Sequence, residues 1–141
     1  MTQSYTTQLE TRWKELLSRD PRLRIRNAAA RLGVSEAELL ATRCGETVRR
    51  LRPEIREILQ ELPSLGRVMA LSRNDSVVIE RHGGYKNYSE PEKDIAIFAS
   101  EDIDLRIFLK WWASAFAVQE ENHNMTRRSI QFFAGDGGAV K

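Results

Sequence analysis

The spacing of hydrophobic positions changes from a helical period to a period of two near residue 64. Before that point, Leu9, Trp13, Leu16 and Leu17 share one helical face, and similar stripes follow further along the chain. We predict four helices. The first runs from a Thr7–Glu10 capping box to Asp20-Pro21, and the second covers 25–32 with Gly33 as its cap. The third runs from a Ser35–Glu38 capping box to about Arg43, and the fourth covers 55–62 after Pro53. Residues 47–51 fit a short edge strand.

Beyond Gly66 the alternation is that of β-strands joined by short turns. The pattern predicts strands over 67–72, 76–82, 95–98, 103–109, 113–119 and 129–133. Turns are expected at Asn74-Asp75, at Gly83-Gly84 and at Asp136-Gly137. Because no crossover helices separate the strands, the sheet should be antiparallel.

Helices followed by strands indicate the α+β class. A chain of 141 residues has the size of one domain, which we predict to span residues 1–141. Residues 1–63 form its helical part, and these helices pack on a mainly antiparallel sheet formed by residues 64–141. The last turn comes four residues before the end, where a further strand would begin, so we expect a fragment of a longer protein.

The strand over 103–109 carries the most informative pattern in the chain. Its alternation places Ile103, Leu105 and their apolar neighbours on one face, and Asp104, Arg106 and Phe108 on the other. A partly buried guanidinium needs a partner. Two interpretations remain open on this pattern: Asp104 neutralises Arg106, or Arg106 faces a cleft and meets a ligand with negative or electron-rich groups.

Composition narrows the class of protein. With 41% hydrophobic and 30% charged residues and a net charge of +2, the chain is not expected to be disordered, and it lacks the excess of basic residues that phosphate binding favours. No stretch approaches the roughly 18 apolar residues of a membrane helix. The N-terminus lacks the features of a signal peptide. A single Cys44 suits a reducing compartment, so we expect a cytoplasmic protein without membrane insertion.

Other chemistry-bearing residues give weaker signals. His82 and His123 are the only histidines; His82 is a candidate iron ligand or an exposed strand-end residue, and His123 fits a solvated loop. Tyr85 and Tyr88 fit either the rim of a cleft or a surface hairpin. No nucleotide-binding glycine loop, paired carboxylates or Ser-His-Asp set is recognisable, so spacing alone does not predict an enzyme.

Residues 27–39 are similar to a helix-turn-helix, with small residues in the first helix and Gly33 at the turn. A recognition helix would present cationic or amide side chains to DNA near its start. Here Glu36 and Glu38 occupy those positions and repel phosphate. A DNA-binding regulator therefore remains an alternative, and a helical hairpin packed on the sheet is favoured.

The chain resembles the N-terminal half of the hemin-degrading factor family of bacterial haem-uptake systems. The resemblance covers nearly the whole chain and rests on five stretches in order: residues 21–39, 55–59, 72–75, 103–109 and 127–133.

The resemblance implies a half of a tandem-repeat haem-utilisation fold, with haem bound in a cleft between two similar halves. It places Arg106 on the distal side of the haem iron and takes the proximal histidine from a C-terminal half that these residues do not include. Phe108, on the same face, would pack against the porphyrin, and His82 remains a weaker candidate. Arginine suits a distal position because it keeps its proton and always donates.

Under this resemblance the expected ligand is haem (haem b, or hemin), which the protein delivers or helps to degrade so that iron is released. Expected partners are the missing C-terminal half or a second subunit, and a haem-accepting enzyme or an inner-membrane haem transporter. Carrier and enzyme are not separable by sequence, and the chain alone is not expected to be active. A structural half-domain without its own haem site is a further alternative.

Overall fold

The computed structural model of the chain describes residues 2–74, 76–122 and 124–139, without the side chains of residues 2–4 and 122. The predicted loop histidine, His123, lies outside the described residues. The chain forms two compact units. The first comprises Met1–Leu51, Phe116–Ile130 and Asp136–Gly138, and the second comprises Arg52–Ala115, Gln131–Gly135 and Ala139–Lys141.

Among the described residues there are four α-helices, and three of them belong to the first unit. They are α1 (Thr2–Arg19), α2 (Ile25–Leu32) and α3 (Glu36–Ala41), and their buried faces form one apolar cluster that consists of Leu9, Trp13, Ala28, Ala29 and Leu39. The small alanines of α2 allow the helices to approach closely, and the large Trp13 and Leu39 fill the space between them. The helical periodicity of the sequence is thereby confirmed.

The ends of these helices follow the predicted chemistry at two of three places. Gly33 adopts the left-handed conformation (φ 72°), and the Ser35 hydroxyl accepts a hydrogen bond from the Glu38 amide at 3.1 Å in a complete capping box. The predicted Thr7 capping box is wrong, because α1 begins at Thr2. Neither glycine nor proline interrupts residues 2–7, so the helix continues upstream of Thr7, whose carbonyl accepts from the Thr11 hydroxyl.

The first unit also contains the predicted edge strand. This strand, β1 (Val48–Arg50), pairs antiparallel with β7 (Trp112–Asn122), and β8 (Met125–Ala134) completes the sheet in the order β1-β7-β8. The Asp136-Gly137 turn follows β8, and an antiparallel bridge then joins Phe133 to Ala139.

The second unit is built around two smaller antiparallel sheets. One pairs β2 (Arg67–Arg73) with β3 (Val78–Gly84), and the other has the order β4-β5-β6. The strands of the latter are β4 (Ser89–Glu92), β5 (Ile95–Ala99) and β6 (Asp104–Phe108), and helix α4 (Ile55–Glu61) precedes β2. Helices together with antiparallel sheets confirm the α+β prediction.

The glycine pair Gly83-Gly84 is not the predicted turn but the end of β3, where it pairs with Val68 and Arg67. A Cβ atom on Gly83 would stand 2.5 Å from the Cβ of Asp102, so the glycine allows the approach of the segment before β6. This requirement is a tertiary contact that a turn signal in the sequence does not reveal.

Candidate functional site

The two faces of β6 differ as the alternation predicts. Ile107 is buried, as is Ile103 just before the strand, whereas Asp104, Arg106 and Phe108 are exposed. Phe108 keeps 49% of its surface exposed, which is unusual for a phenylalanine in the middle of a compact unit. The solvent side of this strand therefore presents a cation and an aromatic ring on regular backbone.

The neighbouring strand extends that surface. In the antiparallel register of β5 and β6, Ile97 lies opposite Arg106 and Ile95 lies opposite Phe108. Both isoleucines are half-buried, and cross-strand neighbours share a face. We call Ile95, Ile97, Arg106 and Phe108 the open face. It is an apolar strip with one guanidinium set into it.

The opposite face of the same sheet is packed. Ala96 and Phe98 are fully buried, and the rings of Tyr85 and Tyr88 meet Phe98 edge-on, with centroids 4.9 and 5.3 Å away. The Tyr85 ring is therefore part of the hydrophobic core and does not belong to a surface hairpin. This packing fixes β5 and thereby the backbone on which the open face stands.

Arg106 does not form the ion pair that the sequence left as one interpretation. In the part of the chain that the structure describes, its side chain makes no hydrogen bond or ion pair, and Asp104 makes none with it. Residues i and i+2 of a strand stand about 7 Å apart, so a direct pair requires both side chains to bend together. Two other arginines of this unit are paired: Arg81 lies 2.8 Å from Asp102, and Arg56 lies 2.6 Å from Glu90.

His82 lies apart from this group. It is exposed on β3, directly opposite Met69, whereas Arg106 and Phe108 belong to the other sheet. Over residues 2–74, 76–122 and 124–139, no hydrogen bond, ion pair or ring contact joins His82 to β6, and no group of three His, Cys, Asp or Glu side chains could hold a metal ion. The structure thus brings together Arg106 and Phe108 and leaves out His82.

A charged cluster supports the edge of the same sheet. Arg56 of α4 bonds Glu90 of β4 and lies 3.5 Å from Asp94, and the Tyr88 hydroxyl donates to the same Glu90 carboxylate. The hydrogen bond from Tyr88 and the contact with Arg56 lower the pKa of Glu90. Burial, and then the bond to Glu90, raises the pKa of Tyr88 to about 12. Sequence inspection missed this cluster because Arg56 is 34 residues away from Glu90 in the chain.

The segment similar to a helix-turn-helix is tied into the first unit. Glu36 at the start of α3 is buried, and Glu38 both closes the capping box and accepts from the Tyr5 hydroxyl at 3.2 Å. The Ala37 amide donates to the carbonyl of Gly137. The start of α3, which would approach DNA, therefore carries two acidic side chains and is bonded to the backbone of Gly137. Both features disfavour a DNA-reading role.

Among the helices that the structure describes, none is long and apolar enough to span a membrane.

Comparison with known proteins places this arrangement in a family. The family model described as "Haemin-degrading HemS.ChuX domain" matches residues 33–141. The hemin transport protein HmuS of Yersinia pestis is 41% identical over 115 residues, which is 82% of this chain and 33% of HmuS. The chain thus spans about a third of the length of the curated relatives it matches.

Solved structures show the same similarity. Holo-PhuS, a heme-binding protein from Pseudomonas aeruginosa, is 43% identical, with a TM-score of 0.89 over 96% of this chain and 39% of that chain. The heme degrading enzyme ChuS of Escherichia coli O157:H7 is 34% identical, with a TM-score of 0.85 over 95% of this chain and 40% of that chain.

Fold and site together define an α+β protein with an unpaired arginine in an apolar sheet face, within the described residues. The chain belongs to the HemS/ChuX haemin-degrading domain family.

Proposed function

We propose that this chain is the N-terminal half of a bacterial haem-uptake protein and that its open face forms one wall of a haem-binding cleft. The observation that carries the proposal is Arg106, which has no partner among the described residues and stands next to Phe108 and opposite Ile97. The relatives are described as hemin transport, heme-binding and heme-degrading proteins.

The residues present fit the chemistry of a haem. Phe108, Ile95 and Ile97 offer an apolar surface to the flat porphyrin, and covering them would remove exposed hydrocarbon from water. Arg106 keeps its proton at cellular pH and would offer several N–H donors to a haem held on this face. Haem itself, when bound, supplies iron-centred redox chemistry.

The axial iron ligand is expected from outside the open face. None of its four residues is a histidine, cysteine, methionine or tyrosine, and His82 stands on another sheet. We propose that a second, similar half, or a second subunit, supplies the proximal histidine and the other wall. Because one wall leaves much of the ring in water, the isolated chain should bind haem weakly.

The test is a haemin titration followed by the Soret band, with Arg106→Ala, Arg106→Lys and the same-face control Asp104→Asn. We expect Arg106→Ala to weaken binding about tenfold, because a charged hydrogen bond is lost, and Asp104→Asn to leave it unchanged. The titration is repeated with the chain joined to a C-terminal half from a relative. If neither form perturbs the haemin spectrum, the proposal is refuted and a structural half-domain remains.

Delivery and degradation of haem are separated by a second measurement on the joined protein. Addition of ascorbate as an electron donor should bleach the Soret band if the protein degrades haem. A stable Soret band, together with transfer of haem to a haem-accepting enzyme or to an inner-membrane haem transporter, would identify a carrier. The same proposal places the protein in the cytoplasm, which fractionation of cells that express it would check.

A further inference from the structure

A second region of the same unit has the features of a ligand site and shares no residue with the open face. It is a surface groove of about 480 Å³ at the end of β3. A volume of this size accommodates a small organic molecule rather than a single ion. The residues that matter for its chemistry are Gly66, Arg67, Gly83, Gly84, Tyr85 and Lys86.

Three of the residues that line the groove are glycines, so part of its wall is bare backbone. Gly66 has φ 71°, a conformation that side chains other than glycine rarely adopt, and Gly84 pairs with Arg67 at the end of the β2–β3 sheet. The Lys86 side chain lies beside Gly84, since a Cβ there would be 3.4 Å from its Cε atom.

The charge of the groove is positive. Arg67 and Lys86 are exposed, and within the described ranges neither side chain makes a hydrogen bond or ion pair. The carboxylate that lines the groove, Asp102, is held by Arg81 at 2.8 Å. The two cations are therefore not neutralised by their surroundings, and they favour an anion.

Tyr85 supplies an independent indication. Only 7% of its surface is exposed, yet among the described residues its hydroxyl has no hydrogen-bond partner. The hydroxyl oxygen itself is not fully enclosed. In the described part of the chain, the Trp13 indole nitrogen is the only polar side-chain atom that is fully enclosed and has no partner. Tyr85 lines the groove, so a ligand held there is the candidate hydrogen-bond partner for this hydroxyl. Burial raises the pKa of Tyr85 to about 12, so the group remains a donor at neutral pH.

We propose that this groove binds a small organic anion through Arg67, Lys86 and the Tyr85 hydroxyl. All three side chains are hydrogen-bond donors, and the ligand must supply acceptor oxygens on a negatively charged group, which is a phosphate or a carboxylate. The groove shares no residue with the open face, so this proposal does not rest on haem binding.

The test uses pyrophosphate and citrate as separate probes at constant ionic strength, with amide chemical shifts of the whole chain as the readout. We expect saturable shifts at Gly66, Gly83 and Gly84, and the probe that binds more tightly assigns the phosphate or the carboxylate class. Tyr85→Phe keeps the ring contact with Phe98 and should weaken binding several-fold, and Arg67→Gln and Lys86→Gln should each weaken it about tenfold.

Two controls decide whether the groove is responsible. Lys93→Gln removes a similar charge from an exposed turn of the same unit and should leave the affinity unchanged, as should Arg106→Ala. Absence of saturable shifts with both probes would overturn the proposal. So would equal weakening by the groove variants and by either control, because that result indicates general charge attraction.

Discussion

The contact between Gly83 and Asp102 predicts a large effect of one added methyl group. In Gly83→Ala the new Cβ would lie 2.5 Å from the Cβ of Asp102, about 1 Å inside ordinary van der Waals contact. The Cβ of Asp102 is fixed by its backbone, so relief requires β3 and the segment before β6 to move apart. Overpacking of this kind typically costs about 1–3 kcal/mol.

Two smaller terms modify that value. The Arg81–Asp102 pair is largely exposed, so its disruption adds at most about 1 kcal/mol. The reduced freedom of alanine in the unfolded chain offsets about 0.4–1 kcal/mol. We therefore expect Gly83→Ala to lower the free energy of unfolding by about 1–3 kcal/mol.

Urea unfolding measures this change, and the chain provides a matched control. Gly135→Ala adds the same methyl group at an exposed glycine with no atom within 4 Å of the new Cβ, so its stability should be unchanged or slightly increased. The double variant Gly83→Ala/Asp102→Gly removes the opposing Cβ and should show a favourable coupling of about 1 kcal/mol or more. Equal stability of Gly83→Ala and Gly135→Ala, or no coupling in the double variant, would refute the reasoning.

Three further predictions concern the supporting structure. Because the pKa of Glu90 is lowered in the folded chain, Glu90 stabilises the fold above pH 4.5, its ordinary pKa, and this stabilisation is lost as the pH falls. The melting temperature should therefore decline less steeply between pH 6 and 3 in Glu90→Gln than in the unchanged chain. The raised pKa values of Tyr85 and Tyr88 favour folding below pH 10 and lose that effect as the pH rises toward 12. Phenolate absorbance should show two tyrosines that titrate near pH 12, reduced to one in Tyr88→Phe. Ser35→Ala removes the capping hydroxyl of α3 and should cost about 1 kcal/mol in urea unfolding, whereas Ser35→Asp should retain most of the stability.

The strand alternation of β6 could be predicted from sequence because hydrophobic and charged residues alternate within it. The adjacent β5 could not be oriented, since Ile95-Ala96-Ile97-Phe98 is apolar on both faces and only the register with β6 separates Ile97 from Phe98. The strand β4 was not predicted because Pro91 and its acidic neighbours disfavour strands. An edge position tolerates proline, which explains its presence there.

The partners of charged residues were the least predictable feature. Asp104 is close to Arg106 in sequence, yet Arg106 remains unpaired among the described residues, whereas Arg56 and Glu90 pair across 34 positions. Ion pairs depend on side-chain direction and on distant elements, which local periodicity does not contain. The family resemblance predicts a haem-facing role for Arg106, and the absence of an ion pair to Arg106 among the described residues supports that proposal.

The position of Arg106 on the open face has a consequence for ligand discrimination. While the open face is in water, the Arg106 guanidinium is hydrated and carries no desolvation penalty. A flat apolar molecule that covered Ile97 and Phe108 would also strip water from Arg106, and without an acceptor of its own it would leave a buried charge unsatisfied. If the open face binds haem as we propose, an apolar ring without an acceptor would bind there less tightly, because it would leave the Arg106 guanidinium desolvated and without a hydrogen bond.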